Sequence, residues 1–263
     1  MEIEITKINA NGNNFIIIDD LNFDNKLLTK KIIYNICNHF NTDGLIKIDI
    51  DSNNKNIFIM NYFNNDGSWE TLCMNGLTCS GFLLNNKTSK KNLQIKSNNI
   101  IYPINIINNN EIKIKVPAPQ YKLKNIIIND MNGTYLDSGA KHFITEIKAW
   151  EKDEELIKTA KKIRYNKELF PKGINVNFFK ILNTLSIEVK TYEKGVEKLM
   201  DSCASGSYAC AYDSYQKNKL KNSIEIINPG GYFNVIFRKN KGCYIINKAN
   251  LEYTKTIDLS LFL

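Results

Sequence analysis

The feature that most constrains this chain is a cysteine turn written twice. Residues 62–79 read YFNNDGSWETLCMNGLTC, and residues 192–210 read YEKGVEKLMDSCASGSYAC. In both stretches a tyrosine precedes the first cysteine by eleven residues, and Cys-x-[Asn/Ser]-Gly opens an apolar, helix-like segment. The repetition reaches beyond the cysteines. Phe15 answers Phe143 at an offset of 128, Gly44 answers Gly173 at 129, and Cys73 answers Cys203 at 130. Leu93 of LQIK is matched with Ser223 of SIEI, also at 130. An offset that drifts by two residues over so many landmarks implies a duplicated unit. The expectation is two homologous halves, residues 1–118 and 119–263, related by a pseudo-two-fold and bringing one cysteine each to a shared cleft, with the final strand free to cross back to the first half.

Each half reads as strands with two helices, an α/β (α+β) class. Residues 3–9 and 15–19 form a hairpin over the Asn11-Gly12 turn. Residues 25–37 carry apolar side chains near helical spacing and predict an amphipathic helix. Strands are expected at 44–50, 57–63, 93–96, 100–106 and 111–116. A short buried helix follows Cys73, because small and apolar residues occupy most of its faces. Pro117 and Pro119 mark 116–120 as the linker. The second copy predicts a strand at 143–147, a helix at 153–164, strands at 174–182 and 185–192, a helix at 206–217, and strands at 223–227, 232–237, 243–247 and 251–257.

Composition excludes more than it assigns. The net charge of +8 comes from scattered lysines, which read as a solvated surface. No aromatic-plus-basic recognition motif accompanies them, so nucleic acid is not expected as a partner. No apolar run approaches the ~18 residues of a membrane span, and the acidic start MEIEI is unlike a signal peptide, so a cytoplasmic protein away from membranes is expected. The six cysteines lack zinc-ligand spacing and are read as reduced thiols, with no structural metal. Cys37, Cys79, Cys210 and Cys243 read as small buried hydrophobes.

Cys73 and Cys203 stand where helices begin. Unpaired backbone N–H groups and the helix dipole stabilise negative charge there, which favours a thiolate and a substrate carboxylate alike. Two such thiols around one carbon meet the needs of cofactor-free racemisation: one removes the α-proton and the other delivers a proton to the opposite face. A binding protein that retains the fold without turnover is the alternative from another class, and the intact cysteine pair argues against it.

These stretches resemble the diaminopimelate epimerase family, whose members are cofactor-independent amino-acid racemases and epimerases. The likeness rests on Gly12-Asn13-Asn14-Phe15, on Phe63-Asn64-Asn65-Asp66-Gly67-Ser68 with Cys73-Met74-Asn75-Gly76 and Cys79, on Tyr192-Glu193-Lys194-Gly195-Val196, on Ser202-Cys203-Ala204-Ser205-Gly206 and on Pro229-Gly230-Gly231. It implies two domains, each a strand-rich barrel around a central helix, with Cys73 and Cys203 as the catalytic pair. It implies that Asn75, Gly76, Ala204, Ser205 and Gly206 bind the substrate carboxylate, and that Asn13, Asn64, Asn175, Glu193 and Lys194 bind the rest of a small-molecule substrate, a free amino acid. No cofactor is implied, and a homodimer is the assembly considered.

The departures bear on substrate. Lys194 stands where diaminopimelate epimerases carry an Arg, Ala140 where the family motif Gly-Asn-Pro-His carries Asn, and one extra residue separates Glu193 from Cys203. Met74 and Ala204 replace glycines beside the thiols. The longer spacing and the missing Asn resemble histidine racemases of the same family. The expectation is an amino-acid racemase with histidine favoured, the alternative being a diaminopimelate epimerase.

Overall fold

The computed structural model describes every residue from Met1 to Leu263. The chain divides into two compact units, Met1–Lys115 with Ile246–Leu263, and Val116–Ile245. The first unit opens with strands β1 (Glu2–Ala10) and β2 (Asn13–Ile18), an antiparallel hairpin. Its turn places Asn11 and Gly12 at φ 51° and 76°, the left-handed pair that suits the twist of a tight hairpin. Helix α1 (Lys30–Phe40) follows, then β3 (Gly44–Asp51), β4 (Asn54–Asn64), the two-residue β5 (Trp69–Glu70), helix α2 (Met74–Thr88), β6 (Asn92–Ser97), β7 (Ile100–Ile106) and β8 (Glu111–Val116).

The second unit holds β9 (Gln120–Ile128), β10 (Met131–Asp137), β11 (Lys141–Glu146), α3 (Asp153–Arg164), β12 (Asn175–Asn183), β13 (Ser186–Tyr192), β14 (Leu199–Met200), α4 (Ala204–Gln216), β15 (Ser223–Asn228) and β16 (Gly231–Arg238). Strand β17 (Gly242–Lys248) runs across the boundary, and β18 (Asn250–Asp258) belongs to the first unit.

Strand pairing makes the duplication explicit. In the first unit the neighbours run β18, β1, β2, β3, β4, β6, β7, β8, with β2–β3 and β4–β6 parallel and the others antiparallel. In the second they run β9, β10, β11, β12, β13, β15, β16, with β11–β12 and β13–β15 parallel. The parallel pairs fall at matching places because each is bridged by a helix, as a parallel connection requires. Strand β18 does for β1 what β9 does for β10. A cut at residue 118 would part β18 from the β1 residues it pairs with between Glu2 and Asn9.

The two helices of each unit have different surroundings. Helix α1 starts where the Thr29 hydroxyl accepts from the Ile32 N–H, and ends at Asn41 with φ 49°. It buries Ile32, Ile33, Ile36, Cys37 and Phe40 against Ile3, Ile5, Ile16, Ile18 and Leu45, joined by Leu259 and Phe262 of the C-terminal turn. At about 1.5–3 kcal/mol for each large side chain, this face is enough to fix the helix on the sheet. The predicted helix over 25–37 is thereby corrected: Asn25–Leu27 is a 3-10 turn, and the α-helix is displaced towards Phe40. Helix α3 packs Leu156, Ala160 and Ile163 on Phe143, Val176 and Phe178.

Helices α2 and α4 are central instead. Every residue from Met74 to Leu84 is buried, as is every residue from Ala204 to Ala211. Such helices need apolar or small residues all round, and the sequences MNGLTCSGFLL and ASGSYACA supply them. Helix α2 is longer than the short segment expected. One repeat landmark also moves: Leu93 faces Ile104 across β6–β7 and Ile224 faces Val235 across β15–β16. The buried partner of Leu93 is therefore Ile224, an offset of 131, and exposed Ser223 answers Asn92. Strands β9 and β10 were not foreseen from the sequence.

Candidate active site

Cys73 is the N-cap residue of α2, at φ −130° and ψ 112°, and its Sγ accepts from the Gly76 N–H at 3.3 Å. The sulfur thus takes the place an Asn, Asp or Ser oxygen usually holds at a helix start. Around it the polar side chains are ordered by one another. Asn75 donates through Nδ2 to Asn13 Oδ1 at 3.4 Å, and the Cys73 thiol lies 3.9 Å from the same oxygen. Asn13 donates to Asp43 Oδ2 at 2.8 Å, Asn247 donates to Asn75 Oδ1 at 3.1 Å, and Asn11 donates to Asn247 Oδ1 at 3.0 Å. Asn13, Asn75 and Asn247 are all buried.

Asn64 belongs to the adjoining turn. It accepts from the Tyr62 hydroxyl at 2.9 Å and donates to Ser68 Oγ at 3.1 Å, while the Asn65 N–H donates to Asp43 O. Asp43 therefore ties the Asn13 side chain to this turn. The structure brings Asn13, Asn75 and Gly76 together at Cys73, with Asn64 one link away through Asp43.

In the second unit Cys203 is the N-cap residue of α4, at φ −132° and ψ 94°. Its backbone matches Cys73, but its surroundings differ. Cys203 is buried, and its Sγ lies 3.6 Å from Ser205 Oγ rather than in a capping hydrogen bond. Ser205 Oγ is 3.0 Å from His142 Nε2, Asn177 Nδ2 is 3.1 Å from His142 Nδ1, and the Thr191 hydroxyl donates to Asn177 Oδ1 at 2.8 Å. Asn175 accepts from the Lys194 N–H at 2.7 Å, which fixes the start of the turn carrying Glu193 and Lys194. That turn is clamped by Glu197, whose carboxylate accepts from Arg164 at 2.9 Å and from Tyr165 at 2.9 Å. Asn175 and Asn177 share one face of β12. Ala204, Ser205 and Gly206 form the buried first turn of α4.

The Cys203 thiol lies above the usual range, although the sequence predicts that a helix start favours its thiolate. Burial pushes this thiol well up, the Glu193 carboxylate pushes it further, and the Gly206 N–H and Ser205 hydroxyl work in the other direction. Burial also holds Cys79 and Cys210 well above the usual thiol range and Cys37 at about 11. These three cysteines and Cys243 are buried. Burial lowers His142 to about 3, so its ring is neutral at ordinary pH.

Sequence reasoning overlooked Asp43, Asn177, Thr191 and Asn247, and gave His142 no role of its own. Asn177 alternates with Ile174, Val176 and Phe178 in INVNFF and so reads as an outward polar residue, although it is fully buried. Asn247 carried no signal in its local sequence. No cluster of three or more His, Cys, Asp or Glu side chains is placed to hold a metal ion. No helix is long and apolar enough to cross a membrane.

Two units of matching topology, each a sheet around a central helix, define a fold class shared with solved racemases and epimerases. A hydroxyproline epimerase from Agrobacterium vitis superposes with a TM-score of 0.74 at 8% identity, over 97% of this chain and 91% of that one. A predicted epimerase from Pseudomonas aeruginosa gives 0.74 at 8% identity, over 97% and 99%. No family model matches the chain. Curated relatives give the family. A diaminopimelate epimerase from Hydrogenobaculum sp. (strain Y04AAS1) is 31% identical over 275 aligned positions, covering 98% of this chain and 99% of that protein. One from Aquifex aeolicus (strain VF5) is 31% identical over 241, covering 83% and 84%. The chain belongs to the diaminopimelate epimerase family and is an isomerase of the epimerase and racemase class.

Proposed function

We propose that this chain inverts the α-carbon of a free amino acid with Cys73 and Cys203 as its two acid–base groups, and that the amino acid is diaminopimelate. The observation that carries the proposal is the matched placement of both cysteines at the N-cap of a buried central helix. One thiolate takes the α-hydrogen as a proton and leaves a carbanion delocalised into the carboxylate. The other thiol returns a proton to the opposite face, so the two sulfurs exchange protonation states in each turnover. The N–H groups of Asn75-Gly76 and Ala204-Ser205-Gly206 hold the carboxylate as its charge builds. Asn13, Asn64, Asn175, Glu193 and Lys194 hold the amino group and side chain. The substrate and enzyme meet in the cytoplasm on this reading.

Diaminopimelate replaces histidine as the leading substrate because the relatives that match nearly the whole chain carry that name. Lys194 supplies a positive charge for a distal carboxylate, though not the two-pronged contact of an Arg. Histidine remains the second reading, favoured by Lys194, by Ala140 and by the extra residue before Cys203. NMR in heavy water, following net inversion of diaminopimelate, L-histidine and other free amino acids, decides between them. The expected result is a kcat/KM highest for diaminopimelate and loss of inversion in Cys73→Ala and Cys203→Ala. A higher value for histidine overturns the substrate. Inversion above about a hundredth of wild type in either variant overturns the thiol roles.

A further inference from the structure

Four side-chain amides of the first unit donate in a single direction, and the order can be read from either end. At one end Asp43 is a carboxylate, which accepts only, so Asn13 turns Nδ2 to it at 2.8 Å. Asn13 Oδ1 then faces Asn75, which donates to it through Nδ2 at 3.4 Å. That leaves Asn75 Oδ1 for Asn247 Nδ2, at 3.1 Å. The other end gives the same order independently. The Lys248 N–H, which can only donate, meets Asn247 Oδ1 at 2.8 Å. Asn11 Nδ2 adds a second donor to that oxygen at 3.0 Å. No amide in the row can flip without setting oxygen against oxygen or N–H against N–H.

The duplicated fold does not itself require this row. Asn9 pairs with Asn250 as Asp137 pairs with Gln120, which puts Pro117 where Asn247 stands, 130 residues earlier. A proline has no amide to offer, and helix α4 begins without one. We infer that Asn247 is a positioning residue for the substrate: by occupying Asn75 Oδ1 it keeps the Asn75 amide turned so that its other flank offers Nδ2. A carboxylate accepts only, and a flipped Asn75 would meet it with an oxygen. The inference rests on the reading of Asn75 as a residue that holds the substrate carboxylate. Its consequence is that the strand crossing back from the second unit, β17, completes the carboxylate site of the first. Because every free amino acid carries the same α-carboxylate, the effect of Asn247 does not depend on the substrate side chain.

The test compares the full-length wild type with Asn247→Asp, Asn247→Ala and Asn11→Gly. Asp has the shape of Asn but no hydrogen for Asn75, so Asn247→Asp should raise KM about tenfold, and by the same factor for each amino acid inverted. Asn247→Ala should raise it about fivefold. Loss of folded protein would instead lower kcat and leave KM alone. Asn11→Gly keeps the left-handed turn and leaves Lys248 to hold Asn247, so its KM should stay within about twofold of wild type. A second measurement needs no turnover: urea unfolding of Asn247→Ala, Asn75→Ala and the double variant. The unfolding constant of the double variant should fall about fivefold short of the product of the single effects. Single effects that simply multiply overturn the inference, even where Asn247→Asp does not fold. So does an unchanged KM in both Asn247 variants, or a shift in Asn11→Gly as large as that in Asn247→Ala. Coupling between Asn247 and Asn75 in a protein that inverts no amino acid upholds the amide order and counts against the catalytic reading alone.

Discussion

The two glycines that follow the cysteines occupy equivalent places, and alanine should be tolerated at only one of them. A Cβ on Gly76 would meet Ile46 Cδ1 at 3.0 Å and Cys73 Cβ at 3.3 Å. The nearest of these is the mobile end of a flexible side chain, and the helix gains about 1 kcal/mol from Gly→Ala, so Gly76→Ala should change stability by under about 1 kcal/mol. A Cβ on Gly206 would run into the Asn177 amide and lie 2.9 Å from both Asn177 Cγ and His142 Nδ1. Asn177 is fully buried and held by Phe143 O, His142 and Thr191. Displacing it forfeits three hydrogen bonds at about 1 kcal/mol each, against the same propensity gain. Gly206→Ala should therefore lose about 2 kcal/mol, or roughly 4–8 °C in Tm for a chain of this size. Urea unfolding followed by circular dichroism compares the two variants directly. A Gly206→Ala protein as stable as Gly76→Ala would refute the view that the amide behind α4 is rigid.

Two further outcomes are expected. Mild oxidation of the empty enzyme should join Cys73 to Cys203 and abolish activity until a reductant is added; peptide mapping of inactive, oxidised protein without that crosslink would count against two thiols serving one carbon. Stability should also fall in weak acid because of His142. Its folded pKa of about 3 lies below the unfolded value near 6.5, so its contribution is complete above about pH 6.5 and is lost as the pH drops towards 3. Between pH 7 and 5 the wild type should lose about 2 kcal/mol more than His142→Gln, and parallel denaturation curves for the two proteins would exclude this.

Much of the fold was legible because strand and helix periods survive wherever one face is buried. The helix over Asp153–Arg164 was read at its observed bounds, since its apolar stripe is flanked by acidic residues at the start and basic ones at the end. Strand β9 was missed for the opposite reason. Most of its residues are exposed, Ile127 at 73% and Leu123 at 42%, and a strand solvated on both faces carries no alternation to read. Its turn to β10 uses Asn129 and Asp130, both at positive φ, without the glycine that signals such hairpins. Strand β18 is just as exposed, and its alternation is equally weak. Where it goes depends on pairing with β1, at the opposite end of the chain.

The candidate site was legible in its cysteines and not in their surroundings, and duplication explains both. Copying a unit preserves the backbone that makes a helix start, so Cys73 and Cys203 share φ and ψ within about 20° and the repeat finds them. It does not preserve the side chains around the sulfur. Behind Cys73, asparagines donate to one another in a buried network that takes in the distant Asn247. Behind Cys203, a neutral histidine and a serine stand instead. The two-thiol mechanism proposed above requires both cysteines to alternate between thiol and thiolate, yet Cys203 is the more deeply buried and has a carboxylate beside it. The residues around this shared backbone have diverged between the two units, and for that reason the offset that locates the thiols cannot locate their partners.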